Sequence, residues 1–426
     1  DTLYEAQAST DGFATVNASS RTLGTTAGFL GLGSNATHYL RARAFNHDNA
    51  ATAFAAASAT STLAPAPASA DPLVWASSVT ARWGANGNSP ATLYEARIST
   101  DAFATFNASS RTLNAHAAFE GLTGNTSYDF QARALGNDGS YTAYVNLPST
   151  TTLVMAPRQT ATPFADVSAA SVTVNWADGG NGTGTWHTAR ISTYNFTTIN
   201  FSSTTRNFSI LFGSGGAGQA LAPNSIYSFQ VGAVGTSGSS AFVDLGSTFT
   251  LANSPLLTSF VSISSISARL DWLPNNNPEP GTDYELWTDF APSFDAPTIV
   301  SVSSSAYLAE GLSPITTYYF KVRAKNKAGT PSSFDAPVST TTWPPPPGQA
   351  GIPVGAPLGV SSISWTWGAA SYARGYKVYP AGSTATAIGA PPTNSFIQMY
   401  LETNTSYGIM VAGTNESGQG TLSDAA

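Results

Sequence analysis

Two stretches of this chain are nearly the same. Residues 3–23 read LYEAQASTDGFATVNASSRTL and residues 93–113 read LYEARISTDAFATFNASSRTL, identical at 17 of 21 positions at an offset of 90. Unrelated sequences do not converge to that degree, so the chain contains a duplication and must fold as a unit that repeats. A weaker copy, ARISTYNFTTIN, begins at Ala189, 93 residues after Ala96. Beyond it, pattern carries the period. A Leu is followed six residues later by an aromatic and an alternating stretch: Leu122 and Tyr128, Leu221 and Tyr227, Leu312 and Tyr318, Leu401 and Tyr407, with Leu32 and His38 in the first copy. A lone Trp (Trp83, Trp176, Trp272, Trp367) is followed 9 to 12 residues later by Tyr94, His187, Tyr284 or Tyr376.

Alternation identifies the local structure. In YYFKVRAKN, Tyr318, Phe320, Val322 and Ala324 fall on one face and Tyr319, Lys321, Arg323 and Lys325 on the other. That is an antiparallel strand with one buried face. SVTVNW, ARLDWL and YELW read the same way, and clusters such as GANGNSP, ADGGNGTG and PNNNPEPG separate the strands. No segment sustains helical periodicity. Hydrophobic residues make up 42% of the 426-residue chain and aromatics 11%, enough apolar material for packed cores, which argues against wholesale disorder. The expectation is an all-β chain of tandem seven-stranded β-sandwiches, each of about 90–100 residues.

The Trp, the Tyr that follows it, and the stretch LSPITTYYFKVRAKN (312–326) resemble fibronectin type III domains, and the resemblance covers essentially the whole chain. It implies that Trp83, Trp176, Trp272 and Trp367 are the core Trp of strand B. It also implies that Tyr128, Tyr227, Tyr318 and Tyr407 form a tyrosine corner at the start of strand F, each hydroxyl bonding back to upstream backbone. His38 departs from this pattern, and the shorter reach of imidazole makes its corner the weaker one. Strand-ending Thr residues meet proline in TSTLAPAP, TTTLVMAP, FTLANSP and TTTWPPPP, where proline suits an edge strand. These marks divide the chain into a partial domain at 1–62 (strands C to G) and domains at 63–153, 154–251, 252–343 and 344–426, joined by short linkers into an elongated array. Pro344 to Pro347 read as a stiff polyproline spacer. In the partial domain the inner face around Tyr4, Leu32 and Leu40 is expected to lie open. Residues upstream, or another subunit by β-augmentation, would supply its A and B strands.

The chemistry the residues exclude is broad. There is no Cys, the net charge is −7 and only four lysines occur, so thiolate sites, a Cys nucleophile and a nucleic-acid-binding basic stripe are ruled out. No apolar run is long enough for a membrane-spanning helix. His38, His47, His116 and His187 share no metal-ligand spacing. GSGGAG at 213–218 matches a dinucleotide loop but runs into a strand rather than the helix such a loop needs. Asp48 and Asp138 read as turn formers. Asp283 and Glu285 share one strand face and form no carboxylate pair across a cleft. No catalytic, cofactor-binding or metal-binding residue is therefore assigned, and no cofactor is expected. Ten Asn-x-Ser/Thr sequons, among them Asn17, Asn107, Asn125 and Asn404, are expected in so Ser- and Thr-rich a chain.

Parity places Trp186 and Trp287 on the outer face of their strands, and they are the candidate surface contacts, to a neighbouring chain or module or to a glycan. The reading is a structural or adhesive extracellular array, a stalk or filament segment of a bacterial surface protein without catalysis. The alternative is a set of non-catalytic spacer modules of a secreted carbohydrate-active enzyme.

Overall fold

The computed structural model describes residues 1–426 and contains strands, turns and loops without a helix. The chain forms two compact units. One comprises Asp1–Ala165, Val174–Ile210 and Ser228–Gly246, and the other Asp166–Thr173, Leu211–Tyr227 and Ser247–Ala426.

In the first unit the second repeat shows the architecture complete. Strands A (Ala68–Val74), B (Ser78–Gly84) and E (His116–Glu120) form a sheet in the order A-B-E. Strands C (Leu93–Ser99), C′ (Ala108–Thr112), F (Ser127–Leu135) and G (Val145–Thr151) form a second in the order G-F-C-C′. Alternation sends Tyr94, Ala96 and Ile98 of C, and Tyr128, Phe130, Ala132 and Ala134 of F, into one core with Val79, Ala81 and Trp83 of B and Ala117 and Phe119 of E. The Trp83 and Tyr94 rings meet at 5.6 Å in a tilted arrangement, a favourable geometry for aromatic quadrupoles.

The first repeat has only the four-stranded sheet, Ala18–Thr22, Leu3–Ser9, Thr37–Phe45 and Ser58–Ser61, in the order C′-C-F-G. Its register, Tyr4 opposite Ala44, matches Tyr94 opposite Ala134. The E strand expected there is not formed: residues 26–30, equivalent to His116–Glu120, are irregular. The reason is local. The only sheet neighbour of E is B, and without B its backbone groups have no ladder to join. Tyr4 and Ala6 are only half-buried, whereas Tyr94 and Ala96 of the near-identical second copy are 3% and 0% exposed. In the third repeat Trp186–Ser192 pairs with Phe201–Thr205 on one side and with residues 228–234 on the other. His187 fills the Tyr position there, 5.9 Å from Trp176 and 5.3 Å from Phe208 between ring centres.

In the second unit the fourth repeat is again complete. Leu256–Ile263, Ser267–Leu273 and Ala306–Glu310 form A-B-E, and Thr298–Val302, Asp283–Asp289, Thr317–Lys325 and Val338–Thr341 form C′-C-F-G. The fifth has six strands. Val354–Gly359, Ser362–Thr366 and Ser395–Gln398 face Gly375–Pro380, Ile409–Asn415 and Gly418–Leu422, with no C′. Its B strand brings a second buried Trp, Trp365, whose indole N–H donates to Gln398 at 3.0 Å.

Trp83, Trp176, Trp272 and Trp367 are all buried, each against its aromatic partner. Trp272→Ala is expected to cost about 3–5 kcal/mol, the transfer energy plus an unfilled cavity. In a thermal unfolding trace only the transition of the fourth repeat, and weakly its neighbours, should move, because coupling in repeat chains passes mainly between adjacent units.

Candidate functional site

The sandwiches carry their repeated chemistry at one pole and on one outer face. At the pole the corner hydroxyl accepts a backbone N–H five residues upstream. Thr123 donates to Tyr128 at 3.1 Å, Ala222 to Tyr227 at 3.0 Å, Ser313 to Tyr318 at 2.9 Å and Glu402 to Tyr407 at 2.9 Å. In the first repeat His38 Nε2 lies 3.5 Å from the Gly33 carbonyl, a longer contact to the opposite kind of backbone group. A threonine closes the same turn. The hydroxyls of Thr62, Thr152, Thr250 and Thr342 donate to the carbonyls of Gly33, Thr123, Ala222 and Ser313 at 2.6–2.7 Å. The same hydroxyls accept the N–H of Ala36, Thr126, Ser225 and Thr316 at 3.0–3.1 Å. These are the threonines whose meeting with proline marks the repeat ends in the sequence.

Three residues before each corner aromatic the backbone turns left-handed: Asn35, Asn125, Asn224, Ile315 and Asn404 have φ of 48°, 49°, 46°, 53° and 61°. Asparagine tolerates that region better than most residues. Three of these side chains plug into the following sandwich. Asn35 donates to Thr92 Oγ1 at 2.8 Å and the Leu135 carbonyl at 3.1 Å, and accepts the Asn137 N–H at 2.6 Å. Asn125 donates to Thr185 at 3.0 Å and accepts from Thr236 N–H at 3.1 Å. Asn224 donates to Thr282 at 2.9 Å and the Gly281 carbonyl at 3.3 Å, and accepts the Lys327 N–H at 2.7 Å. The receiving Thr always lies two residues before the core aromatic. The fit is close: a Cβ on Gly235 would stand 2.5 Å from Asn125 Oδ1.

A second asparagine straps each linker. Asn88 donates to the Pro65 carbonyl at 2.9 Å. Asn181 bonds the Met155 N–H and carbonyl at 2.7 and 2.9 Å, and Asn277 does the same for Asn253 at 2.8 and 2.8 Å. The junction before the fifth repeat is built otherwise. Ile315 holds the plug position and Arg374 the Thr position, while Asn415 and Ser417 donate to the carbonyls of Pro345 and Pro344 at 2.7 and 2.5 Å.

On the outer face of the G-F-C-C′ sheets a cation lies between two aromatic rings. The ring centres stand 4.0 Å (Phe13) and 4.0 Å (Phe54) from Arg41, 4.9 Å (Phe103) and 3.9 Å (Tyr144) from Arg97, 5.2 Å (Phe196) and 3.7 Å (Phe242) from Arg190, and 4.0 Å (Phe294) and 4.5 Å (Phe334) from Lys321. The first Phe of each set is left-handed, with φ between 53° and 72°. In the first three repeats a serine hydroxyl holds that turn by accepting the Phe N–H at 2.8–3.0 Å. In the first repeat Arg41 of strand F bonds Gln7 of strand C. In the second, Arg97 of strand C bonds Gln131 of strand F at 2.9 and 2.5 Å. The two partners have exchanged strands with the bond preserved.

Beside them a buried or half-buried carboxylate sits under cations: Glu5 with Arg43, Glu95 with Arg133 and Arg111, Glu285 with Arg323 and Lys325. Burial works against the charge on Glu95 and Glu285. Hydrogen bonds and the fields of the cations overcome it and hold both carboxyls below the ordinary range. Asp283 and Glu285 therefore differ, the first exposed and the second buried and paired. Asp11 and Asp101, held by the Thr15 and Thr105 turns and by Ser9 and Ser99, are lowered to about 2.

Trp186 is 43% exposed, with the Arg206 guanidinium 4.4 Å from its ring centre. Trp287 is half-buried under Phe334 and within reach of Lys321. The two tryptophans lie in different units. No three His, Asp or Glu side chains gather at one point. His187 is 1% exposed with neither ring nitrogen bonded, and burial lowers its pKa although Asp178 opposes this.

Two outcomes follow. Arg97→Gln should destabilise the second repeat by about 1–2 kcal/mol through loss of the stacked cation, and adding Gln131→Arg should restore most of it, as the first repeat already uses that arrangement. Chemical denaturation of the single and double variants reads this directly. For His187 the folded pKa lies below the unfolded value of about 6.5. Its contribution is full above that value and is lost as pH falls toward the folded pKa. Melting of the third repeat should drop as pH falls below the unfolded value of about 6.5, and His187→Tyr should remove the drop.

No protein-family model matches the chain. Endoglucanase B of Cellulomonas fimi is 28% identical over 168 residues, covering 37% of this chain and 16% of that protein, so the chain spans about a sixth of its length. Among solved structures, the FN1-FN3 domains of chicken CNTN1 align with 66% of this chain and 100% of theirs at 16% identity and a TM-score of 0.24. A two-domain fibronectin type III segment of chicken tenascin aligns with 43% of this chain and 97% of its own at 16% identity and a TM-score of 0.31. The internal geometry assigns the fold. A Tyr hydroxyl reaching back five residues at the head of strand F, beside a Trp–aromatic pair packed between A-B-E and G-F-C-C′ sheets, recurs along the sequence, and the fold is a tandem series of fibronectin type III-like β-sandwiches.

Proposed function

We propose that this chain is a non-catalytic extracellular structural array, a stalk or filament segment of a bacterial surface protein, whose work is to hold successive sandwiches at set angles. The observation that carries this reading is the asparagine plug found at three successive junctions. Domains joined by short linkers otherwise move freely. A buried amide satisfied at both ends, together with a strapped linker, opposes that motion because any displacement leaves polar groups unpaired. Trp186 is its outward contact, offering an indole face to a neighbouring chain or a sugar ring.

The likeness to Endoglucanase B favours a second reading, in which the same array is a spacer in a secreted carbohydrate-active enzyme. Both readings need stiff junctions. They part on polysaccharide: a surface stalk leaves cellulose unbound, whereas Trp186-dependent retention on cellulose would mark the array as accessory modules of the enzyme-associated kind.

The stiffness is testable with dyes on the second and third repeats. Single-molecule energy transfer should give one narrow distribution in the parent chain. In Asn125→Ala it should broaden or split. An unchanged distribution in that variant would remove the basis of the proposal.

A further inference from the structure

The junction between the fourth and fifth sandwiches is built without the plug. At two of the plugged junctions the contact pair is wholly out of water: Asn35 and Thr92 are 0% exposed, Asn224 and Thr282 1%. At the same two positions Ile315 is 56% exposed and Arg374 is exposed as well. Ile315 keeps the left-handed backbone of the plug, φ 53°, a conformation that strains a β-branched residue, and its apolar side chain makes no polar bond across the junction. Arg374 turns instead to Glu416, at 2.8 Å. These two stand where Thr282 and Lys327 receive Asn224, so the socket is closed by an ion pair of its own. Nothing else replaces the plug. The Trp343 N–H donates to the Ser264 carbonyl at 3.0 Å and the Trp343 carbonyl accepts the Ile315 N–H at 3.4 Å, which makes Trp343 part of the fourth sandwich. The carbonyls of Pro344 and Pro345 accept from Ser417 and Asn415, which makes the proline run part of the fifth. No hydrogen bond or ion pair crosses from residues 252–343 to residues 344–426, so the two bodies are joined only by the covalent step from Trp343 to Pro344.

We propose that this junction is a compliant joint: the fifth sandwich swings against the fourth about the chain at Pro344, while the plugged junctions hold their angles. The inference rests on the plug reading above and names the place where a plug does not act. The ring of Pro344 fixes its φ, and Pro345 after it confines its ψ to the extended region, so the joint swings within one broad well and does not fold back. The proline run adds no stiffness between the bodies, because it is strapped to the fifth sandwich and moves with it. At the other junctions a satisfied amide selects one angle, since leaving it strands buried polar groups. Here Ile315 and Arg374 are already in water, and a change of angle strands nothing. The joint gives the fifth sandwich a range of orientations that the plugged sandwiches lack.

Distance distributions between spin labels test this, measured by pulsed electron–electron resonance on the frozen full chain, where every orientation is recorded. The chain has no Cys, so pairs of cysteines introduced at exposed strand positions carry the labels cleanly. One pair spans the second and third sandwiches and another the fourth and fifth. The fourth–fifth distribution should be about twice as wide as the second–third, as expected where nothing opposes the motion of linked domains. Ile315→Asn with Arg374→Thr grafts plug and receiver onto two exposed positions, so both cores are kept, and should narrow the fourth–fifth distribution to the width of the second–third. A parent in which the two distributions are equally narrow overturns the proposal. So does a fourth–fifth distribution that stays wide in the double variant, since the missing plug would then not be the source of the freedom. The plug reading itself is judged by Asn125→Ala on the second–third pair. If that variant broadens its distance while the parent's fourth–fifth distance is narrow, this inference alone is lost.

Discussion

Every G-F-C-C′ sheet in this chain has one apolar face, and a second sheet must take that face out of water. The first two repeats isolate this constraint, because almost the same residues appear with and without the cover. Where B and E are present, Tyr94, Ala96 and Ile98 reach core burial. Where they are absent, Tyr4 and Ala6 stay half-buried although pairing within the sheet is unchanged. Hydrogen bonding along the strands therefore forms the sheet, and face-to-face packing, worth about 25 cal/mol for each Å² of apolar surface buried, makes it a core. The missing E strand follows from the same logic, since a strand whose only neighbour is gone has neither ladder nor face to join.

Once two sheets stack, the ends of the sandwich become the problem. The chain entering strand F makes a turn whose backbone groups would be buried unpaired at the pole, beside the end of strand G. The corner hydroxyl takes the upstream N–H, and the terminal Thr takes the carbonyl of that same residue, so both groups of one residue are satisfied by two side chains. With the turn held, the asparagine at its tip is aimed outward at a fixed angle. The junction plug is thus a consequence of closing the pole, and the stiffness proposed for the array begins in the hydrogen-bond accounting of a single turn.

Much of this was legible in the sequence, and the limits have physical causes. The buried Trp and Tyr positions could be read because alternation and period both mark them, and a core position shows itself by apolarity alone. The terminal threonines were visible as boundary marks, but their bonding was not, since a hydroxyl that closes a turn looks like any other Thr in a Ser- and Thr-rich chain. The asparagine plugs were hidden for the same reason, with Asn125 reading as a glycosylation sequon. The Arg97–Gln131 pair escaped because its members lie on different strands. Only comparison with Gln7 and Arg41, paired position by paired position, reveals an exchange rather than two unrelated substitutions. Trp287 reads from parity as an outward contact, yet Phe334 covers it, and Phe334 comes from a loop whose position no strand pattern fixes.

The repeats also show which constraints survive divergence. Core identity tolerates exchange, since His187 stands where others have Tyr and keeps its place against Trp176. The outer face tolerates exchange of strand, as Arg and Gln swap sides. The junction is less forgiving, because its two halves belong to different sandwiches and each is useless alone. A plug without a receiving Thr buries an unpaired amide, a penalty of about 1–3 kcal/mol, and a Thr without a plug leaves its hydroxyl idle. The two are therefore expected to be kept or lost together, and the single internal junction that departs, with Ile315 and Arg374, has lost both and is tied through the carbonyls of Pro344 and Pro345 instead. Duplicated modules with interchangeable cores thus keep a defined junction, because how each one meets its neighbour is decided by a few polar atoms at its poles.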